Sequence, residues 1–166
     1  MKFHPAMISA CIFDLEGILL DVDTMRGDMQ SLTPDDMKEG VFVFVKELKN
    51  KGLNLAVVAR CPHLRQILNR LHITHYFHTL VDSDHFSING PSEGLYEKAV
   101  RELGVPEEQT LVFTAEGAAA EAAAKTGCWV VGVGLSPDMA EADLVLPSFE
   151  KIRFLKILSA IGENEP

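Results

Sequence analysis

Two carboxylates, Asp14 and Glu16, close an apolar run that reads Ile8-Ser-Ala-Cys-Ile-Phe-Asp-Leu-Glu-Gly-Ile-Leu-Leu-Asp21. A run of this kind reads as a buried strand that delivers Asp14 to its C-terminal edge. Gly17 then lets the chain turn away closely, with no side chain in the way. In open α/β sheets ligands bind at that edge, so Asp14 and Glu16 are the first candidates for a catalytic carboxylate pair. Other groups carry weaker signals. His72, His75 and His78 have a spacing that suggests metal binding, but they straddle a helix end, a loop and a strand start, which argues against one shared site. Cys61 is a candidate reactive thiol, with nothing in its neighbourhood to lower its pKa. Cys11, Cys61 and Cys128 are widely separated and form no metal-spaced motif, which fits a reducing compartment.

The elements that must position these groups follow from periodicity. Residues 19 to 33, with Asp21, Asp23, Gly27 and Asp28, read as a loop or irregular excursion. Thr33-Pro34-Asp35-Asp36 is a helix-start signal, and a helical pattern runs on to Lys51 with Val41, Phe42, Val45 and Leu48 on one face. Gly40 is a candidate early interruption. A strand over Leu53–Val58 follows, then a helix over 62 to 72 and a short strand from His78 to Val81. Asp82 to Pro91 reads as a loop, and Ser92 caps a helix through Leu103. A strand over Thr110–Phe113, an Ala-rich helix from Glu116 to Thr126 and a strand over Cys128–Val133 come next. A short strand over 142 to 146 and a helix from Phe149 to Ile161 end the pattern. Alternation at this spacing implies α/β architecture: a mostly parallel sheet with helices on both faces, joined by right-handed crossovers.

At 166 residues the chain has the length of one compact domain, and its 47% hydrophobic and 23% charged content is that of a globular protein. A formal net charge of −9 without a Lys/Arg cluster argues against nucleic acid and anionic membrane surfaces as partners. No apolar run approaches the roughly 20 residues that span a bilayer, and the N-terminus lacks an export pattern. The expectation is a cytoplasmic, unexported protein.

In this order, Phe13-Asp14-Leu15-Glu16-Gly17-Ile18-Leu19-Leu20-Asp21 resembles the first motif of the haloacid dehalogenase superfamily, written Phe-Asp-Leu-Asp-Gly-Val with an acid further on. The later strands and helices fall in the superfamily's order, and the likeness is strongest to the β-phosphoglucomutase group. The resemblance implies a three-layer, Rossmann-like core with strand order 5-4-1-2-3, Asp14 on the central strand. It implies one core domain over 1–166, its cap reduced to a short insertion at about 19–33. In working members the first aspartate attacks phosphorus and binds Mg²⁺. The second acid is the general acid/base and offers its backbone carbonyl to the metal. A Ser/Thr after strand two and a Lys before a later helix hold the phosphoryl oxygens, and an acid after strand four completes the magnesium site.

Carried over residue by residue, the pattern is incomplete. Asp14 matches the nucleophile and metal ligand. Glu16 occupies the acid/base position with one methylene too many, a displacement of about an ångström, which can cost about a hundredfold. Ala59 stands at the hydroxyl position, Gly90 at the lysine, Ala115 at the metal-binding acid and Ala119 at a further acid found in many relatives. Arg60 is the candidate replacement cation for phosphate, its alternative being an exposed loop arginine. Glu116 is the candidate replacement metal ligand, its alternative being an acid favoured at a helix N-terminus. Losing one stabilising group costs on the order of 10² to 10³ in rate. The expectation is therefore a degenerate member without efficient phosphotransfer, acting through binding or association with a small phosphorylated ligand or a protein partner. The alternative is a slow Mg²⁺-dependent phosphatase or phosphomutase-like hydrolase working on a small phosphate ester through Asp14.

Overall fold

The computed structural model describes residues 7–85, 92–134 and 139–164. Six strands form one sheet, in which every pairing is parallel: β1 (Ala10–Asp14), β2 (Asn54–Val58), β3 (Thr79–Val81), β4 (Thr110–Thr114), β5 (Trp129–Val133) and β6 (Leu144–Leu146). Their order is β3-β2-β1-β4-β5-β6. From the opposite edge this is the expected 5-4-1-2-3, extended by β6 beside β5. The helices are α1 (Val22–Met25), α2 (Val41–Asn50), α3 (Leu64–Arg70), α4 (Ser92–Leu103), α5 (Gly117–Lys125) and α6 (Phe154–Asn164).

The central strand β1 is buried along its whole length, which is why its sequence is apolar rather than alternating. Its side chains still alternate between the two helical layers. Cys11 and Phe13 join the layer of α2, α3 and α6, where Phe13 stacks on Phe113 with ring centroids 4.9 Å apart and Phe44 and Phe149 pack edge-on or tilted around them. Ala10 and Ile12 face the layer of α4 and α5, with Tyr96, Ala99 and the buried alanines of α5. Alternation therefore turns Asp14 toward the α4–α5 layer.

Several local expectations need correction. The helix expected from Thr33 does not run through to Lys51. A 3₁₀ turn over Pro34–Asp36 ends, and α2 begins afresh after Gly40, whose φ is +84°. A Cβ at Gly40 would lie 2.6 Å from the Phe149 carbonyl oxygen, so backbone contact and left-handed conformation together demand glycine there. In α2 Val41, Phe44, Val45 and Leu48 are buried, while Phe42 packs half-buried against the same core. Within 19–33 the expected loop or irregular excursion takes the form of the short α1 and a 3₁₀ turn over Met29–Ser31. At the far end α6 starts at Phe154, not Phe149, because Lys151 sits at φ +59° and breaks any helix through it.

Candidate functional site

The site forms where β1, β2 and β4 end side by side. Phe13 is in register with Phe113 and Asp14 with Val58, which places Thr114 beside Asp14 and Arg60 two residues past Asp14's neighbour on β2. Asp14 is only 1% exposed. One of its carboxylate oxygens accepts from the Tyr96 hydroxyl at 2.6 Å, the other from the Thr114 hydroxyl at 2.6 Å. Arg60 Nη1 lies 3.5 Å from the oxygen that Thr114 also holds. Arg60 Nη2 donates to the Tyr96 oxygen at 3.1 Å, so the tyrosine relays between guanidinium and carboxylate.

Glu16 joins the same group from the turn after β1. Its Oε2 accepts from the Arg60 backbone N–H at 2.7 Å, while its Oε1 lies 3.7 Å from Arg60 Nη1 and accepts no hydrogen bond although buried. The acid is tied back to the β2 side rather than extended toward bulk solvent. Gly17, at φ +81°, allows this turn, and a Cβ there would lie 2.9 Å from the Cβ of Ala115. Lys38 Nζ donates to the Gly17 carbonyl oxygen at 3.0 Å and lies 3.6 Å from Asp21 Oδ1, holding the turn in place.

Electrostatics follow from burial. Desolvation pushes the Asp14 carboxyl up to about 6, against the opposing pull of Arg60 and the two hydroxyl hydrogen bonds. The Arg60 guanidinium loses hydration on burial, yet the charge of Asp14, with Tyr96 and Glu16 behind it, raises its pKa and keeps it charged. Burial raises the Tyr96 phenol well above its ordinary value, with the Asp14 charge adding to it, so it remains a donor. Cys61, on the same edge, is pushed up to about 12 by burial and by Glu16, and holds its proton at neutral pH.

Of the residues singled out from sequence, Asp14, Glu16 and Arg60 are brought together. Glu116 is exposed at the N-cap of α5, where its backbone N–H lies 3.5 Å from the Thr114 hydroxyl, and it makes no side-chain capping bond. Gly90 lies outside the described residues. His78 Nδ1 accepts from the Leu55 N–H, while His75 packs on Tyr76. Tyr96 and Thr114 are the site residues that sequence reasoning missed. Their one signal was polarity: a tyrosine inside an aliphatic helix stripe and a threonine ending a buried strand each need a partner.

The donor set does not suit Mg²⁺, the ion that the superfamily pattern implies. A hard dication needs six oxygen ligands with at least one accessible carboxylate. Here both Asp14 oxygens already accept hydroxyl hydrogens, a guanidinium stands beside them, and the Ala115 methyl offers no ligand. Among the described residues no group of three His, Cys, Asp or Glu side chains could hold a metal, and no helix is long and apolar enough to cross a membrane.

Comparison with known proteins gives one consistent result. The family model of haloacid dehalogenase-like hydrolases matches residues 29–133. The chain is 28% identical over 118 residues to β-phosphoglucomutase of Bacillus subtilis (strain 168), a match that covers 71% of this chain and 52% of that protein. The chain thus spans about half the length of that curated relative. The crystal structure of β-phosphoglucomutase from Clostridium difficile superposes with a TM-score of 0.83 at 16% identity, covering 94% of this chain and 98% of that one. CbbY from Rhodobacter sphaeroides, solved in complex with phosphate, gives 0.68 at 18% identity over 87% and 96%. These two structures share the fold. With more than half its length inside the family model, the chain belongs to the haloacid dehalogenase-like hydrolases and is related to their β-phosphoglucomutase branch.

Proposed function

We propose that this chain is a non-catalytic member of its family, a core domain with its cap reduced to the 19–33 excursion, which works by binding rather than by phosphoryl transfer. The observation that carries this reading is the closure of Asp14, whose two oxygens are both held by hydroxyl donors while the side chain is almost wholly buried. A nucleophile must meet phosphorus at about 3 to 3.5 Å along an open line. Here the Tyr96 hydroxyl stands on one oxygen, and Thr114 and Arg60 on the other.

Charge supports the same reading. With Asp14 and Glu16 ionised, Arg60 alone lies against both carboxylates, and Lys38 on the adjoining turn is paired with Asp21, so the cluster stays net negative. An incoming phosphate meets like charge, and a pair of like charges at 4 Å costs about 4 kcal/mol at an effective dielectric of 20. Phosphoryl transfer depends chiefly on positioning and charge stabilisation, which Mg²⁺ and a lysine supply elsewhere in the family pattern. Neither Ala115 nor Gly90 provides either.

The test is Mg²⁺-dependent hydrolysis of p-nitrophenyl phosphate by the wild-type chain and by Asp14→Asn. Equal, background-level rates are expected. A robust Mg²⁺-dependent rate abolished by Asp14→Asn would overturn the reading in favour of a slow phosphatase acting through Asp14.

A further inference from the structure

A wide cleft lies between α3 and the excursion that follows β1. Its volume is about 820 Å³, within the roughly 300–1,000 Å³ of small-molecule sites. None of Asp14, Glu16, Arg60, Tyr96 or Thr114 lines it. Its two walls differ in chemistry. On α3, Gln66, Asn69 and Arg70 fall at i, i+3 and i+4 and so share one helix face. Opposite them stand Met25, Met29 and Leu32 of the excursion.

The donors on the α3 wall are open. The Asn69 carboxamide oxygen accepts from the Thr74 hydroxyl at 2.5 Å, which leaves its NH₂ group to point elsewhere. Arg70 makes no ion pair among the described residues, whereas His63, also on the lining, lies 3.6 Å from Asp84. No aspartate or glutamate lines this cleft, in a chain with 24 of them. Each of the two smaller clefts includes at least one acid, Glu47 in one and Asp35 and Glu39 in the other. A cavity with an unpaired guanidinium, amide donors, no carboxylate and a thioether-rich opposite wall is complementary to one kind of molecule.

We propose that this cleft binds a small amphipathic anion, its carboxylate or phosphate head on Arg70 and Asn69 and its apolar body against Met25, Met29 and Leu32. Cys61, which lines the cleft, adjoins Glu16 of the Asp14 cluster, but the proposed head and body contacts use no residue of that cluster and do not depend on whether it is catalytic. Isothermal titration of the full chain with octanoate, octylamine and inorganic phosphate tests it. Octanoate is expected to bind at least about tenfold more tightly than octylamine and than phosphate alone. Arg70→Gln, an exposed substitution, is expected to weaken octanoate about tenfold, and Met29→Ser to weaken it without altering the small response to phosphate. Asp14→Asn is expected to leave octanoate affinity unchanged. Equal affinity for octylamine, insensitivity to Arg70→Gln, or no octanoate binding would overturn the proposal. Phosphate binding as tight as octanoate would overturn the role of the apolar wall.

Discussion

Asp14 has two unlike flanks. On the β2 side it meets charge: Arg60 at 3.5 Å, itself clamped between Asp14, Glu16 and the Tyr96 hydroxyl. On the β4 side it meets one hydroxyl, from Thr114, and beyond it the Ala115 methyl against Gly17. In the family pattern the β4 flank carries the acid that completes a metal site, and the β2 flank contributes a neutral hydroxyl. The positive charge that balances the buried carboxylate has therefore moved across the strand, from a dissociable ion to a side chain of this chain. A permanent counter-charge keeps Asp14 in place, which supports the proposal of a non-catalytic site.

The comparison can be broken first on the charged flank. Arg60→Met strands a buried carboxylate and should cost about 3–5 kcal/mol in chemical denaturation at neutral pH, the usual penalty for removing one partner of a buried pair. Combining it with Asp14→Asn should recover most of that loss, a coupling that independent sites would not show. Asp14→Asn alone probes the same flank through pH. The folded pKa of about 6 stands above the ordinary 3.8, so Asp14's contribution is fully present below about pH 4 and is lost as pH rises through 6. Relative to the Asn variant, the wild type should therefore lose stability on the order of 3 kcal/mol between about pH 4 and 7. A flat difference across that window would mean the carboxylate is hydrated.

The neutral flank predicts smaller effects. Gly17→Ala combines a φ of +81° with a 2.9 Å approach to the Ala115 Cβ and should destabilise by about 2 kcal/mol. Ala115→Gly in that background should return only the steric part. Back on the charged flank, Tyr96→Phe removes a hydroxyl bonded to a charged group and should cost about 1.5 kcal/mol while moving the Asp14 titration upward, readable by carboxyl NMR.

How much of this was legible from sequence divides along the line between local and distant contacts. Asp14 at a strand end follows from hydrophobic periodicity, which acts within short stretches, whereas the strand order and the place of Arg60 beside the site were implied by the resemblance to the family. The Tyr96 contact joins residues 82 apart, and nothing in the helical stripe of α4 says which strand end its hydroxyl will reach. Thr114 was hidden for a simpler reason: β4 runs one residue beyond Phe113, where the strand was expected to stop. That residue sets Thr114 on the Asp14 side of the sheet. The Gly40 interruption was legible from the glycine but its cause, the close approach of the Phe149 backbone, was not, and the left-handed Lys151 had no signal in the sequence.

On the proposed function, Arg60 balances Asp14 from within and the site is closed to metal and phosphate. The most direct test is a ¹³C NMR titration of the Asp14 carboxyl, run in buffer alone and with saturating Mg²⁺ and inorganic phosphate. One titration near 6 that neither addition moves is expected. A Mg²⁺-dependent fall of that midpoint toward the ordinary carboxylate range would contradict it.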